Sequence, residues 1–483
     1  MLWSLVAPEV TWIQLGASIL AGVLLVGLGH AAPAMLSAVG GLIVIAVSAA
    51  ACATLRREGA ASLVANAWLF AAVVSSVFAI CQYFGLASDL APWVNPTSPG
   101  EAFANLRQRN QFATLTSIGL VALLWRVQQG ARPGWPVAAA ILLAAANAAS
   151  ASRTGAFQIV LVIGLTAWWL RSLQRGVVAV CAAAALAYGV VAFAFPQLLH
   201  HFLGVSAPNA FGRLASADGC SSRTVLWGNV LHLIGQKPWL GWGWGELDFA
   251  HFATLYPGAR FCDILDNAHN LPLHLAVELG VPIALIACAG FLVWLAWQRP
   301  WGETDPTRRL AWAVIAVILL HSLLEYPLWY GPFQMAFGFS LGLLAREPRR
   351  SGARMVGATG RRAITALLAF ALLFTAWDYL RVSQLYVAPE DRSALLRHWP
   401  LPSIGDSWLF GDQVDFAVLS ITPLTRANAA TMNALAMKLL HYSPEPRVID
   451  VAIESAILMR REDQALWLLE RYRAAFPAAP IRD

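Results

Sequence analysis

The residues of this sequence that are best suited to chemistry stand at the ends of long apolar segments. DNAHNLPLHLAVELG places His269 and Asn270 just before one such segment, and HSLLEYPLWY places Glu325 and Tyr326 at the end of another. An imidazole titrates near neutral pH, so His269 can accept the proton of a hydroxyl nucleophile. Ionisable groups in such positions indicate function, although a lone histidine there is often only a structural hydrogen-bonding group.

Arginine residues form a second set at the ends of the apolar segments. NLRQRNQFATL contains Arg109 and Gln111 before one segment, SRTG contains Arg153 before another, and SSRTVLWGNVL contains Arg223 in a long connection. The arginines of this set are Arg107, Arg109, Arg153, Arg213, Arg223 and Arg260. Guanidinium groups bind phosphate oxygens, which favours an anionic ligand such as a diphosphate. The alternative is that these side chains reach towards lipid headgroups.

Together the two sets favour nucleophilic displacement at the anomeric carbon of a sugar, with a lipid diphosphate as the leaving group. Arginine would neutralise the charge that develops on the diphosphate, and His269 would take the proton of the acceptor hydroxyl. Because the leaving group is already good, no metal is expected. The sequence contains no GxxxxGKS/T, HExxH or CxxC motif, which argues against the soluble nucleotide-binding and metal-dependent classes.

The composition indicates a membrane protein rather than a soluble one. Of the 483 residues, 58% are hydrophobic and only 12% are charged, whereas a soluble domain carries about 25% charged residues. The apolar segments are long enough to cross a hydrocarbon core of about 30 Å. The formal net charge is +6, but the basic residues lie mainly in short connections between apolar segments. That distribution is the positive-inside pattern and does not indicate nucleic-acid binding.

The apolar segments predict an all-α polytopic membrane protein with about eleven (ten to twelve) transmembrane helices. The predicted helices cover residues 11–29, 33–54, 62–84, 111–126, 134–150, 155–170, 176–198, 273–297, 310–328, 332–345 and 363–380. The arginine-rich connections place the N-terminus in the cytoplasm, and the site residues and the C-terminus outside it. The first segment is expected to be a retained helix, since it lacks a basic region and a cleavage site.

The chain is expected to have two parts on the basis of this pattern. A transmembrane domain covers residues 1–380 and includes a long extracytoplasmic loop over 199–272 that carries the site. The tail over 381–483 mixes charged residues with Leu and Ala at helical spacing, as in QALWLLERYRAAF, and predicts a small helical domain. The sequence alone leaves open whether this tail binds an acceptor or only completes the structure.

The cysteines divide between the apolar segments and the long loop. Cys52, Cys81, Cys181 and Cys288 lie in apolar segments and are expected to be buried thiols. Cys220 and Cys262 both lie in the long loop. In an oxidising compartment these two residues would be able to form a disulfide, which we state as a hypothesis.

The order of several motifs resembles the O-antigen ligase / O-oligosaccharyltransferase superfamily of bacterial inner-membrane proteins, over roughly residues 80–385. The motifs are RQRNQFATL, SRTG, SSRTVLWGNVL with PWLGWGWGE, HNLPLHLAVELG and HSLLEYPLWY. HNLPLHLAVELG, LLEYPLWY and the junction DYLRVSQLYVAPE are most similar to the pilin-type protein O-oligosaccharyltransferase branch. The ligase pattern of His269, Asn270 and Gly280 is present, but Ile283 replaces its usual small or aromatic residue. The N-terminal part is also shorter than is usual in the protein-modifying branch.

The resemblance implies a transferase that moves an oligosaccharide en bloc from undecaprenyl diphosphate to a hydroxyl acceptor in the periplasm. Direct displacement would invert the anomeric centre without a metal. The implied catalytic residues are His269, Arg223 and Arg153, and the candidate substrate-binding residues are Gln111, Tyr326, Arg109, Asn270 and Glu325. The expected partners are the lipid-linked glycan, membrane lipid, and either a pilin-like protein or the lipid A-core of lipopolysaccharide.

Three other functions remain open from the sequence. An O-antigen ligase would use lipid A-core as acceptor, and an O-antigen polymerase would extend the glycan itself. A non-enzymatic transporter of lipid-linked glycan is the third. Transporters usually show internal repeats and broken helices near the membrane midplane. Because we find no repeat, and the polar residues gather at one face, the sequence favours an enzyme.

Overall fold

A computed structural model describes residues 32–54, 57–132, 134–170, 174–207, 212, 219–345, 370, 373–397, 405 and 407–477. Within these residues the chain forms helices and no β-strand, which confirms the predicted all-α class. The predicted helix 11–29, part of the predicted helix 363–380, and Arg213 lie outside the described residues.

The apolar segments form nine of the described helices. They are α1 (Ala32–Thr54), α2 (Arg57–Tyr83), α3 (Arg109–Gln128), α4 (Gly134–Ala149), α5 (Arg153–Trp169), α6 (Arg175–Leu203), α10 (Val281–Gln298), α11 (Pro306–Ser322) and α12 (Gly331–Leu344). Among the described residues, Gly59–Tyr83, Arg175–Leu203 and Val281–Gly302 are long and apolar enough to cross a membrane, judged by length and composition. Val39–Ala50 and Gly134–Ala149 are shorter apolar helices.

Helix α3 lies at the centre of this bundle and contacts α2, α4, α5 and α11. Nearly all of its residues are buried, including Thr116 and Ser117. Polar groups in such apolar surroundings need partners within the protein. Asn147 of α4 provides them, since its Nδ2 donates to Thr116 Oγ1 at 2.8 Å and to Ala113 O at 3.0 Å. These bonds fix α3 against α4.

The predicted helix 273–297 is two helices, α9 (Leu271–Leu279) and α10, with a break at Gly280. Gly280 has a φ of +88°, and a Cβ at this position would collide with the carbonyl of Trp239. Carbonyl groups at the end of α9 accept hydrogen bonds from the loop over residues 237–246: Trp242 N–H donates to Val277 O at 2.9 Å, and Gly243 N–H donates to Glu278 O at 3.0 Å. The WGWGE stretch is therefore bonded to the end of α9.

The predicted helix 310–328 also ends early, because α11 stops at Ser322. Pro327 disfavours helical backbone at the residue before it, so the chain leaves the helix and forms a turn over residues 323–330. Within this turn Glu325 N–H still donates to His321 O at 2.8 Å. The early end of α11 places Glu325 in a turn rather than inside a helix.

The long connection between α6 and α10 contains three helices, α7 (Arg223–Gln236), α8 (Leu247–Ala253) and α9. The tail contains five helices among its described residues, α13 (373–383), α14 (Gly411–Ile421), α15 (Ala429–Leu439), α16 (Pro446–Leu458) and α17 (Glu462–Ala475). Consecutive helices from α14 to α17 pack on one another, as helix–turn–helix pairs do. The domain border at residue 381 stays a prediction.

The loop and the tail share a hydrophobic core in the structure. Phe252 of α8 is buried in the same cluster as Leu468 and Tyr472 of α17. Polar contacts reinforce this packing: Arg471 Nε donates to Ala253 O at 2.8 Å, and His441 Nδ1 lies 2.6 Å from Glu246 Oε2. The tail therefore supports the loop that carries site residues.

Candidate functional site

Four helices begin at the same end of the molecule, and each has a polar N-cap. The side chains of Gln108, Ser152, Ser222 and Asn270 accept hydrogen bonds from the first turns of α3, α5, α7 and α9. Helix N-termini carry unpaired N–H groups and a partial positive charge, which favours anionic ligands. The motifs RQRNQF, SRTG, SSRT and HNLP are thus four helix starts in structural terms.

Glu325 lies at the centre of the site and joins residues from three of these helix starts. Its Oε2 is 2.7 Å from His269 Nδ1, and its Oε1 accepts from the guanidinium of Arg223. The Oε1 atom also accepts from Asn110 Nδ2 at 3.3 Å. One carboxylate thereby brings together a histidine, an arginine and an amide from different elements.

Asn110 extends this cluster to the start of α5. Ser152 Oγ donates to Asn110 Oδ1 at 2.6 Å and also caps α5 through Gly155 N–H. Gly155 allows α5 to approach this closely, because a Cβ there would collide with Asn147 and Ala113. Asn110 and Ser152 lie within the motifs RQRNQFATL and SRTG, but the sequence alone does not identify them as site residues. Their side chains lie 42 residues apart in the chain, so only the fold shows that they pair.

The backbone of His269 is itself unusual. Its φ is +49°, in the left-handed region that few residues other than glycine adopt, although histidine is among the more tolerant. The conformation is held by Asn267 Oδ1, which accepts from His269 N–H at 2.9 Å. Residues that the surrounding structure holds in such rarely populated backbone conformations are common at functional sites. The ring is oriented so that Nδ1 faces Glu325, and no described residue bonds to Nε2.

The charges in the cluster keep the carboxyl group of Glu325 ionised. Burial alone would raise its pKa, but the hydrogen bond from His269 and the nearby charges of His269 and Arg223 lower the pKa below its ordinary value. An ionised carboxylate at Nδ1 favours the tautomer with the proton on Nδ1. Nε2 is then the atom that is able to accept a proton.

Tyr326 packs against His269, whereas the other candidate substrate-binding residues lie around the cluster. The Tyr326 ring meets the His269 ring edge to face at 4.9 Å, and burial raises the pKa of Tyr326, so its hydroxyl stays protonated. Asn270 caps α9 and donates from Nδ2 to Leu323 O at 3.1 Å, which ties α9 to the turn after α11. Arg109 instead pairs with Glu101 at 3.3 Å.

Arg153 and Gln111 are each next in the chain to a member of the cluster. Arg153 follows Ser152 and is exposed, and Gln111 follows Asn110 and is buried. The structure therefore places Arg223, His269, Glu325 and Tyr326 in contact. Roles for Arg153, Gln111, Arg109 and Asn270 in ligand binding stay predictions.

A row of buried side chains joined by hydrogen bonds lies under the cluster, and the sequence did not predict that these residues contact one another. His321 Nδ1 lies 2.8 Å from Thr114 Oγ1, which accepts from Gln158 Nε2 at 2.8 Å. Gln158 also donates to Val317 O at 3.1 Å. The chain connects α3, α5 and α11, so it fixes the three helices from which Asn110, Ser152 and Glu325 emerge.

A disulfide links the two segments that carry Arg223 and His269. Cys220 and Cys262 are bonded, with a Cα–Cα distance of 5.4 Å and a separation of 42 residues. Cys220 stands three positions before Arg223, and Cys262 stands seven positions before His269. Within the described residues there is no group of three or more His, Cys, Asp or Glu side chains suited to a metal ion.

Family models match three parts of the chain. The model for the C-terminal part of a virulence factor membrane-bound polymerase matches residues 309–482, and the O-antigen ligase model matches residues 138–288. A protein glycosylation ligase model matches residues 102–127. Together the matched segments include Arg223, His269, Glu325 and Tyr326.

Two curated proteins of Acinetobacter baylyi are similar to the chain. A general O-oligosaccharyltransferase is 27% identical over 368 residues, which is 74% of this chain and 64% of that protein. A ComP-specific O-oligosaccharyltransferase is 26% identical over 286 residues, which is 58% of this chain and 51% of that protein. The chain thus spans about half to two thirds of the length of these relatives. Together with the family models, these similarities confirm the predicted resemblance of the chain to the O-antigen ligase / O-oligosaccharyltransferase superfamily.

Proposed function

We propose that this protein transfers an oligosaccharide en bloc from undecaprenyl diphosphate to a hydroxyl group of an acceptor protein, at the periplasmic face of the bacterial inner membrane. The observation that carries this proposal is the contact of Glu325 with both His269 and Arg223. This contact places the His269 ring, whose Nε2 is open to a ligand, beside the positively charged guanidinium of Arg223. The match to the protein glycosylation ligase model supports protein as the class of acceptor.

His269 acts as the general base in the proposed reaction. Its Nε2 takes the proton of the acceptor hydroxyl as the hydroxyl oxygen attacks the anomeric carbon. Glu325 holds Nδ1–H and stabilises the imidazolium that forms, as a carboxylate does in a catalytic triad. The new bond joins the acceptor oxygen to the sugar, and the configuration at that carbon is inverted.

The bond between the anomeric carbon and the diphosphate oxygen breaks in the same step. The leaving undecaprenyl diphosphate carries away the electron pair, and its charge is stabilised by arginine. Arg223 has five N–H donors, so it is able to contact phosphate and Glu325 together. Arg153 and the starts of α3, α5, α7 and α9 add positive potential at the same end. This arrangement supports a mechanism that needs no metal ion.

The finer topology is part of the same proposal. About eleven helices would cross the membrane, with the N-terminus in the cytoplasm and the site and tail in the periplasm. The disulfide between Cys220 and Cys262 supports an oxidising location for the loop. The long connection between α6 and α10 and the helical tail would form one periplasmic unit.

Lipid A-core is the second candidate acceptor. The match of the O-antigen ligase model to residues 138–288 favours it. That model does not include the region around Glu325 and the tail, whereas a protein glycosylation ligase model matches residues 102–127. We therefore place protein Ser or Thr before lipid A-core.

The test uses the purified full chain in nanodiscs with undecaprenyl diphosphate that carries a glycan. A pilin-like protein and lipid A-core are offered in separate reactions, each with EDTA or with a divalent cation. Glycan on the protein in the presence of EDTA is the expected result. Glycan on lipid A-core alone would establish the ligase function, and longer donor chains without a modified acceptor would establish a polymerase.

A further inference from the structure

Four aromatic side chains lie near His269, three of them in the turn after α11 and one in the loop before α8. We call Tyr326, Trp329, Tyr330 and Trp244 the aromatic platform. Tyr326, which contacts His269, stacks on Tyr330 with a centroid distance of 5.8 Å and an angle of 25°. Trp244 stacks on Trp329 at 6.0 Å and 10°. The platform thus consists of two stacked pairs beside the base.

The platform is held rigidly although its outer members are exposed. Trp329 is 38% exposed and Tyr330 is 36% exposed. Trp329 N–H donates to Tyr326 O at 3.1 Å, and Tyr330 N–H donates to Pro327 O at 3.0 Å, which fixes the turn. The Trp329 ring also packs on the fully buried His274 at 4.9 Å. Large aromatic surfaces that are both fixed and exposed indicate a binding surface.

We propose that the aromatic platform binds the pyranose rings of the donor glycan. The faces of a pyranose ring are lined by C–H groups and its rim carries hydroxyls, so a sugar suits an aromatic ring with polar groups at its edge. Tyr326 and Tyr330 each carry a hydroxyl at the ring edge and provide such polar groups. A polyprenyl chain has no hydroxyl groups to use them. This inference rests on the proposed function and names the part of the donor that the site recognises.

The position of the platform predicts which sugar each pair contacts. The anomeric carbon of the first sugar must lie near the acceptor oxygen that His269 activates. Tyr326 contacts His269, so Tyr326 is next to the first sugar. Tyr330 and Trp329 lie farther along the turn and would contact the second and later sugars. The platform should therefore discriminate between donors by the length of the glycan.

The test compares undecaprenyl diphosphate carrying one sugar with the same lipid carrying three sugars. Trp329→Ala and Tyr330→Ala should raise KM for the three-sugar donor by about 3- to 10-fold, the range expected for loss of one aromatic contact. KM for the one-sugar donor should change by less than about twofold. Tyr330→Phe keeps the ring and should recover most of the affinity. Trp93→Ala removes a tryptophan that is 78% exposed in another loop and serves as the matched control.

Equal increases in KM for both donors would overturn the proposal, because they would indicate a contact with the lipid or a general loss of structure. The same result for Trp93→Ala and Trp329→Ala would overturn it as well. Saturation-transfer NMR with the free trisaccharide gives a readout that does not depend on transfer. A signal with the wild type that disappears in Trp329→Ala supports the platform, and no signal with the wild type contradicts it. Absence of transfer by the wild type with either donor would contradict the proposed function instead.

Discussion

Two pairs of a glutamate and a histidine lie in and beside the candidate site, and they differ in their surroundings. Glu325 and His269 are 2.7 Å apart, and their side chains are 10% and 17% exposed. Glu278 and His274 are 3.4 Å apart, and their side chains are 1% and 3% exposed. The residue types are the same, but only the first pair is open to a ligand.

The charges near the two pairs also differ. Arg223 pairs with Glu325, whereas Glu246 and Asp248 are the acidic neighbours of Glu278. A buried carboxyl group among other carboxyl groups is costly to ionise, and burial likewise raises the pKa of Asp248 well above its usual value. We therefore expect Glu278 to be neutral. The first pair thus differs from the second in its open ring nitrogen and its neighbouring cation, the two features that the proposed mechanism requires.

The second pair has a structural role that serves the first. His274 Nδ1 lies 3.5 Å from Ala268 N–H, directly before His269 in the chain. Glu278 O accepts from Gly243 N–H, so α9 is bonded to the loop before α8. The buried pair thus stabilises the backbone that carries His269 of the first pair. The two pairs should respond differently to substitution.

Replacement of His269 should have the largest effect on transfer. His269→Ala removes the base and should lower the rate by about 10³-fold, within the range for general base catalysis. His269→Asn should cause a similar loss and keeps a residue type that tolerates positive φ. Single-turnover transfer to the acceptor protein measures both rates.

His201→Ala is the matched control, since His201 is an exposed histidine at the end of α6. It should transfer at nearly the wild-type rate. Transfer by His269→Ala at the rate of this control, from protein that is folded by its elution profile and thermal midpoint, would contradict the role of His269.

Replacement of Glu325 should have the second largest effect. Glu325→Gln keeps the shape of the side chain but removes the charge that orients His269 and pairs with Arg223. We expect a loss of about 10²-fold in kcat with a smaller change in KM for the acceptor. A change in the pH profile of kcat should accompany the loss, which a purely structural role would not produce. An unchanged kcat and pH profile would mean that Glu325 does not act through His269.

The pH dependence of stability should separate Glu325 from other carboxyl groups. The pKa of Glu325 is lowered in the folded protein, so its charged contacts stabilise the fold above the unfolded pKa of about 4.3. This contribution is lost as the pH falls through the lower folded pKa. The thermal midpoint of the wild type should exceed that of Glu325→Gln by about 2–4 °C from pH 8 to pH 5. The difference should then shrink below about pH 4, and a difference that grows there instead would contradict the lowered pKa.

The sequence predicted the helices and much of the cluster because both leave local signals. Apolar segments of sufficient length predict helices, and α4 and α12 begin and end within one residue of the predicted bounds. His269, Arg223 and Glu325 stand beside helix boundaries, where polar residues in an apolar chain are conspicuous. Gly280 followed by Pro282 is a local signal for a helix break before α10. The prediction of one continuous helix over residues 273–297 did not take this signal into account.

Other features depend on contacts between distant parts of the chain. Asn110 and Glu325 are 215 residues apart, and nothing in either motif specifies that they pair. The docking of α8 on α17 depends on the match of two apolar faces, and Phe252 has no distinguishing pattern in the sequence. The sequence also did not distinguish the roles of Glu325 and Glu278, because burial and neighbouring charge are properties of the folded chain.

Substitution of Glu278 should have the smallest effect and provides the sharpest test of the comparison. Glu278→Gln replaces a neutral carboxyl group by a neutral amide of nearly the same shape, so kcat should change by less than about twofold and the thermal midpoint should not fall. Glu278→Ala leaves a cavity beside His274 and should lower the midpoint while kcat per folded molecule changes little. If Glu278→Gln lowered kcat as strongly as Glu325→Gln, the second pair would take part in the chemistry. Burial would then not be what separates a catalytic pair from a structural one in this protein.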